Sequence, residues 1–133
     1  MIGSSLAVAL GGALGSLARF WLAELLARAG LTEFPWATLA ANVSGSLLIG
    51  MIAGLTGPDG RLLVAQEWRL FWMVGICGGY TTFSSFSLQT LALAQAGEWG
   101  RAGLNIVLSL VLCLLAVVLG YILAAWLNRL SGA

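Results

Sequence analysis

Apolar residues fill four long stretches of this chain, and the short segments between them carry most of its charged side chains. The stretches run from Gly3 to Leu26, from Trp36 to Gly57, from Leu70 to Ala96 and from Ala102 to Leu127. A helix needs about 20 largely apolar residues to cross about 30 Å of hydrocarbon. The pattern therefore predicts an all-α membrane protein in which residues 1–133 form a single domain of four transmembrane helices.

The composition agrees with a bilayer protein and excludes several functions. Hydrophobic residues make up 60% of the 133 residues and charged residues 8%, against about 25% charged residues in ordinary soluble domains. The six basic residues are isolated arginines, so nucleic acid is not an expected partner. The chain has no histidine and no carboxylate pair deep in a span. It can build neither a serine triad nor a catalytic metal site, so we do not expect an enzyme.

Loop arginines leave the direction of insertion poorly specified. Four spans place Arg61, Arg69 and Arg129 on one side of the membrane and Arg28 and Arg101 on the other. The excess of loop Lys and Arg sets the orientation of a membrane protein, and here the two sides are nearly balanced. Either orientation is therefore compatible with the sequence, and copies that insert both ways can pair about a two-fold axis in the membrane plane.

Two spans carry a polar stripe. Thr38, Asn42 and Ser46 follow one another at intervals of four in the second span, and Asn105 and Ser109 repeat that spacing in the fourth. The amide of Asn42 must be bonded or wetted at this depth, either as a link between helices or as the lining of a water-filled path. Neither stripe contains a carboxylate, so a path lined by them suits an anion better than a cation.

The first span combines small residues with a charge. Gly11, Gly15 and Arg19 share one helix face, and the glycines predict a seam of close helix packing. A guanidinium inside a span costs about 3 kcal/mol on insertion scales. Arg19 therefore either faces protein or water at a functional site, or extends to the membrane interface.

The third span contains the irregular sequence GGYTTFSSFS. Gly75, Gly78 and Gly79 weaken a helix, and the Thr81–Thr82 pair weakens it further, which predicts a break between Gly75 and Thr82. A kinked packing helix is the alternative. Broken backbone is tolerated in a membrane only where protein or a wet cavity receives its polar groups. Its free carbonyls suit a hard cation such as Na⁺, and its amides and hydroxyls suit an anion.

Two phenylalanines follow this break. Phe83 and Phe86 are three residues apart, so they project from one face of the continuing helix. The edge of an aromatic ring is positive and can stabilise a small anion that has lost its water. An ordinary core pair is the alternative interpretation.

Taken together, Arg19 after the glycines, Asn42 in NVSGSLLIG and GGYTTFSSFS in a four-span chain resemble the Fluc fluoride channels, also called CrcB proteins. The resemblance covers nearly the whole chain. It implies an antiparallel homodimer in the cell (inner) membrane that exports fluoride passively, and a structural Na⁺ at the centre of the dimer.

The resemblance also implies roles for individual residues. The fluoride pore would contain Phe83, Phe86, Asn42, Ser109, Asn105 and Thr38. Arg19, Ser84 and Thr82 would have vestibule or structural roles, and the backbone carbonyls of Gly78 and Thr81 would bind Na⁺. The chain departs from some family members at Asn105, Gln89 and Cys113. The departures put in doubt a charged role at Gln89 and a strong anion contact at Cys113, because a thiol is a poor donor.

A small multidrug transporter is the strongest rival, since it is also a short four-span chain that can insert both ways. Proton coupling would require a carboxylate inside the membrane. Glu24 is the candidate, although it lies near the end of its span and close to Arg28. A purely structural membrane subunit is a further alternative, but it would leave the broken span unexplained.

Overall fold

Residues 1–130 are described by a computed structural model, and helices are the only regular elements within them. In chain order these elements are α1 (Ile2–Arg28), α2 (Trp36–Thr56), α3 (Gln66–Arg69), a π-helical segment (Leu70–Cys77), α4 (Gly78–Tyr80), α5 (Phe83–Gln95) and α6 (Trp99–Leu130).

Three of these helices, α1, α2 and α6, are each long and apolar enough to cross a membrane. The predicted third span comprises α3, the π-helical segment, α4 and α5, and it begins at Gln66 rather than at Leu70. Helix α6 also extends beyond both predicted ends, from Trp99 to Leu130. Polar end turns can continue a helix past its apolar run, because helical backbone bonds do not depend on apolar side chains.

Glycines allow α1 to pack closely against the π-helical segment. A Cβ atom on Gly11 would collide with the carbonyl oxygen of Phe71 and lie 2.9 Å from the Cα atom of Gly75. A Cβ atom on Gly15 would collide with the carbonyl oxygen of Ile76. The predicted glycine seam is therefore confirmed, and the third span is its partner.

A second glycine contact joins α2 to α6. A Cβ atom on Gly50 would collide with the carbonyl oxygen of Val117, and one on Gly120 would lie 3.0 Å from the backbone nitrogen of Met51. Small residues let helix backbones approach in this way in membranes. The α2–α6 pair is thus a close-packed support beside the broken span.

The third span is broken at Thr81 and Thr82, at the C-terminal end of the predicted interval. Thr81 has ψ 157° and Thr82 has φ −155° and ψ 115°, which are extended conformations. The glycines themselves remain helical. Gly75 lies in the π-helical segment, and Gly78 and Gly79 begin the short helix α4. Gly75 and Gly79 instead give α1 room to approach, since a Cβ atom on either would lie within 2.9 Å of α1 backbone.

Candidate functional site

Asn42 of α2 binds both polar groups of Thr82 at the break. The Thr82 N–H donates to Asn42 Oδ1 at 2.7 Å, and Asn42 Nδ2 donates to the Thr82 carbonyl oxygen at 3.0 Å. The position of Asn42, one helical turn after buried Thr38, directs it at the third span. A single side-chain amide thus replaces the backbone partners that the extended residue has lost. The interpretation of Asn42 as a link between elements is therefore confirmed.

The next helix begins with a side-chain cap. The Thr82 hydroxyl oxygen accepts the backbone N–H of Ser85 at 3.1 Å, and the hydroxyl donates to Ser85 Oγ at 3.1 Å. Thr82 Oγ1 also lies 3.2 Å from Ser84 Oγ. Threonine at this position satisfies one of the N–H groups that every helix leaves free at its start. The break is consequently an ordered junction between two helices.

These bonds leave two carbonyl groups without their helical donors. In a continuous α-helix the Thr82 N–H would donate to Gly78 and the Ser85 N–H would donate to Thr81. Here the first N–H donates to Asn42 and the second to the Thr82 hydroxyl. The carbonyls of Gly78 and Thr81, the pair predicted as Na⁺ ligands, are therefore among the carbonyls at the break that lack a helical donor.

The Gly79 carbonyl, which lies between them, binds α1 instead. Arg19 Nε donates to this oxygen at 3.3 Å, and Ser16 Oγ lies 3.5 Å from it. The guanidinium is half-buried in the protomer. Arg19 thus faces protein at the break, and the alternative of a side chain that simply extends to the interface is not what the structure shows.

A cavity of about 360 Å³, here called the break cavity, lies beside this junction. Residues of α2, the π-helical segment, the break and α6 form its walls. Most of its surface is apolar, and its polar groups are amides, hydroxyls and thiols without a carboxylate. The polar and aromatic lining residues are Asn42, Ser46, Cys77, Thr81, Thr82, Phe83, Phe86, Ser109 and Cys113.

Phe83 and Phe86 form the aromatic wall of the break cavity. Their ring centroids are 5.1 Å apart and their planes are inclined at 50°. Phe86 is 8% exposed and Phe83 is 72% exposed in the single chain. One ring therefore belongs to the packed core while the other stands free at the cavity mouth.

A second cavity of about 340 Å³, here called the Arg19 cavity, lies between α1, α2 and α5. Arg19, Thr38, Ser85 and Gln89 are among its lining residues. The Gln89 Oε1 atom is enclosed and has no hydrogen-bond partner in the described chain. This cavity offers a cation, hydroxyls and an amide, which is also a lining suited to an anion.

Asn105 lies outside both cavities. Its side chain is 1% exposed, and Nδ2 donates to Thr90 Oγ1 of α5 at 2.9 Å. In the protomer this residue links α6 to α5. The predicted site residues are thus divided: Asn42, Phe83, Phe86 and Ser109 meet in the break cavity, whereas Thr38 lies with Arg19 and Asn105 is in neither.

Comparison with known proteins decides the family. Residues 6–121 match the family described as CrcB-like protein, Camphor Resistance (CrcB). The chain belongs to the CrcB family. A relative from Paramagnetospirillum magneticum is 62% identical over 92% of this chain and 95% of its own length, and one from Opitutus terrae is 59% identical over 95% and 96%. A third, from Rhodospirillum rubrum, is 58% identical over 92% and 95%. All three are named fluoride-specific ion channel FluC.

Glu24, on which the rival transporter reading depends, lies at an exposed end of α1. Its carboxylate is 3.8 Å from the Arg28 guanidinium, and the side chain is 45% exposed. A coupling carboxylate should instead lie inside the membrane and face a substrate path. The geometry and the CrcB family membership both disfavour proton-coupled transport.

Sequence reasoning did not select three residues that the structure places at the site or against a predicted site residue. Ser85 Oγ accepts a hydrogen bond from the Thr82 hydroxyl, and Thr90 Oγ1 accepts one from the Asn105 amide. Ser16 Oγ contacts the Gly79 carbonyl. Spacing offered a signal for two of them, because Thr90 is one turn after Phe86 and Ser16 is one turn after Gly12. Their partners lie on other elements, so spacing alone could not supply the contacts.

Proposed function

We propose that this CrcB-family chain is a fluoride-selective channel that lets fluoride leave the cell passively across the inner membrane. The observation that carries the proposal is the break cavity, where amide and hydroxyl donors and a phenylalanine pair surround a space without a carboxylate. Such a lining favours an anion. The close relatives named as fluoride-specific channels supply the identity of that anion.

The break cavity can replace the hydration shell of fluoride. Asn42 uses one N–H group on the Thr82 carbonyl, and its amide has a second one. Ser109 lines the same cavity as the aromatic pair. The edges of Phe83 and Phe86 add a weak positive potential that does not hold the ion as a salt would. Conduction requires this balance, because an ion must bind well enough to enter and weakly enough to leave.

The Arg19 cavity supports a second part of the proposed route. Arg19 would raise the local concentration of anions there, and Thr38 would supply a hydroxyl group. Thr82 and Ser84 would stabilise the start of α5 at the break through their mutual contact at 3.2 Å. Asn105 would then act by positioning α5 through Thr90.

A structural Na⁺ fits the carbonyls at the break. Gly78 and Thr81 have lost their helical donors, and carbonyl oxygens are the ligands that a hard cation prefers. When bound, the ion would supply the positive charge that these carbonyl oxygens need in place of their helical N–H donors. Replacing Na⁺ with a large organic cation should lower the thermal stability of the purified protein, and an unchanged melting temperature would count against the site.

An inverted second copy would complete the path. Phe83 is 72% exposed, and it also lines the break cavity. A second chain in the opposite orientation would cover the ring and bring a second pair of break carbonyls to the same axis. This arrangement supports the proposed antiparallel homodimer and a shared Na⁺.

Fluoride release from liposomes tests the function. Vesicles that contain the purified protein are loaded with fluoride and chloride, and a potassium ionophore clamps the membrane potential. We expect rapid loss of fluoride and retention of chloride. Retention of both ions, or equal loss of both, would contradict the proposal.

A further inference from the structure

A groove at the opposite end of α2 from Trp36 is separate from both cavities of the site. It encloses about 260 Å³ and opens at the protein surface. Leu48, Ile52 and Leu55 of α2 form one wall, and Leu62 and Val64 of the following loop form another. The groove is therefore a largely apolar slot.

Arg69 lies in this groove with an unmet hydrogen-bonding requirement. Its Nε atom is enclosed and has no hydrogen-bond partner in the described chain. Thr56, whose hydroxyl is the side-chain oxygen in the lining, already donates it to the Ile52 carbonyl at 2.7 Å, and the indoles of Trp68 and Trp72 are donors that cannot accept from Arg69. A guanidinium among apolar groups is costly unless an acceptor, and preferably an anion, lies beside it.

The position of Arg69 along the third span matches the depth of lipid headgroups. It is the last residue of α3, and the apolar π-helical segment begins immediately after it. Trp68 and Trp72 flank it in the groove and are 59% and 42% exposed. Tryptophan and arginine at the end of a span are typical of the membrane–water interface.

We propose that this groove binds an anionic phospholipid of the surrounding bilayer. The phosphate would accept hydrogen bonds from the Arg69 guanidinium, and one acyl chain would lie along Leu48, Ile52 and Leu55. Arginine matches phosphate with two parallel N–H donors, and basic pockets between membrane helices bind anionic headgroups. A small inorganic anion would satisfy the charge but leave the apolar walls uncovered.

A second copy of the chain is a poorer occupant, because it would have to bring an acidic group to Arg69. The chain has five acidic residues. In an inverted copy, Asp59 and Glu67 would lie on the opposite side of the membrane from Arg69, because they belong to the same connection between spans as Arg69. Glu24, Glu33 and Glu98, which would share its side, already form ion pairs with Arg28 and Arg101 of the same chain. Charge complementarity therefore favours a lipid phosphate.

Native mass spectrometry of the purified protein tests the proposal without any measurement of ion flux. Phosphatidylglycerol and phosphatidylcholine of the same chain length are titrated separately, and the bound fraction is measured for each. We expect phosphatidylglycerol to bind wild type about five- to tenfold more tightly than Arg69→Gln, in line with a contribution of about 1 kcal/mol per arginine near an anionic surface. Arg28→Gln, which removes an exposed charge at another helix end, should bind like wild type.

Ile52→Trp is the second variant, and it fills the groove while keeping Arg69. It should also weaken phosphatidylglycerol binding, which keeps the test decisive even if Arg69→Gln fails to fold. Equal binding by wild type and Ile52→Trp would overturn the proposal. Cross-linking of a cysteine at Leu55 to a second copy of the chain would also overturn it, because the groove would then be a subunit contact.

Discussion

Asn42 is the residue on which the geometry of the break most depends. It accepts from the Thr82 N–H and donates to the Thr82 carbonyl, so both groups of one extended residue rely on a single side chain. Unpaired backbone groups are costly inside a membrane. The same amide lines the break cavity, where its second N–H group is a donor for an anion.

Asn42→Ala should therefore reduce both stability and fluoride flux. Loss of the amide leaves two polar backbone groups unpaired, which we expect to destabilise the fold by about 1–3 kcal/mol. Thermal unfolding in detergent and fluoride release from liposomes measure the two effects. Thr56→Val is the matched control on α2, since the Thr56 hydroxyl bonds only to its own helix backbone. Similar melting temperatures for the two variants would contradict the role given to Asn42.

The two phenylalanines should separate stability from transport. Phe86 is buried and Phe83 is 72% exposed. Phe86→Ile should cost on the order of 1–2 kcal/mol of protomer stability, whereas Phe83→Ile should cost little. Both should abolish fluoride release, because an aliphatic side chain has no positive ring edge. Wild-type release rates in both variants would remove the aromatic pair from the mechanism.

At the scale of elements, the close packing of α1 on the π-helical segment holds the first half of the third span in place. Gly11 and Gly15 are buried in this contact, and Arg19 continues the same face of α1 to the Gly79 carbonyl. One face of α1 thus packs against the π-helical segment and also binds the carbonyl of Gly79 in α4.

Gly11→Ala should destabilise the protein, whereas Gly12→Ala should not. A Cβ atom on Gly11 would collide with the Phe71 carbonyl, and one on Gly12 would have nothing within 4 Å. Overpacking of this kind costs about 1–3 kcal/mol. The melting temperatures of the two neighbouring variants provide the comparison. An equal effect of both substitutions would show that the glycine contact does not govern this packing.

The third span shows what the sequence could and could not predict. Apolar length predicted the spans, and weak helix formers predicted an interruption between Gly75 and Thr82. The glycines proved to be helical, and Gly75 and Gly79 lie against α1 residues that are more than 60 positions away in the chain. Asn42 and Ser109 were selected from their spacing. The sequence could not predict the partner of Asn42, because its bond to Thr82 depends on how α2 packs against the third span.

For the whole molecule, the proposed inverted pairing requires copies in both orientations. A cysteine placed at Asp59, an exposed loop residue, reports which side of the membrane that loop faces. With a membrane-impermeant thiol reagent, we expect about half the copies to react from outside and the rest only after the membrane is opened, given the balanced arginines. Wild type, whose Cys77 and Cys113 lie within the spans, is the control. Labelling of all copies from one side would refute dual insertion.

The reversal potential of the reconstituted protein in a planar bilayer tests the central claim most directly. With a tenfold fluoride gradient, equal chloride on both sides and an impermeant anion to balance charge, a fluoride-selective path must reverse at the fluoride equilibrium potential. For one charge, a tenfold gradient corresponds to about 59 mV. We predict a reversal potential close to this value in wild type. Reversal at zero, where chloride is at equilibrium, would contradict fluoride selectivity.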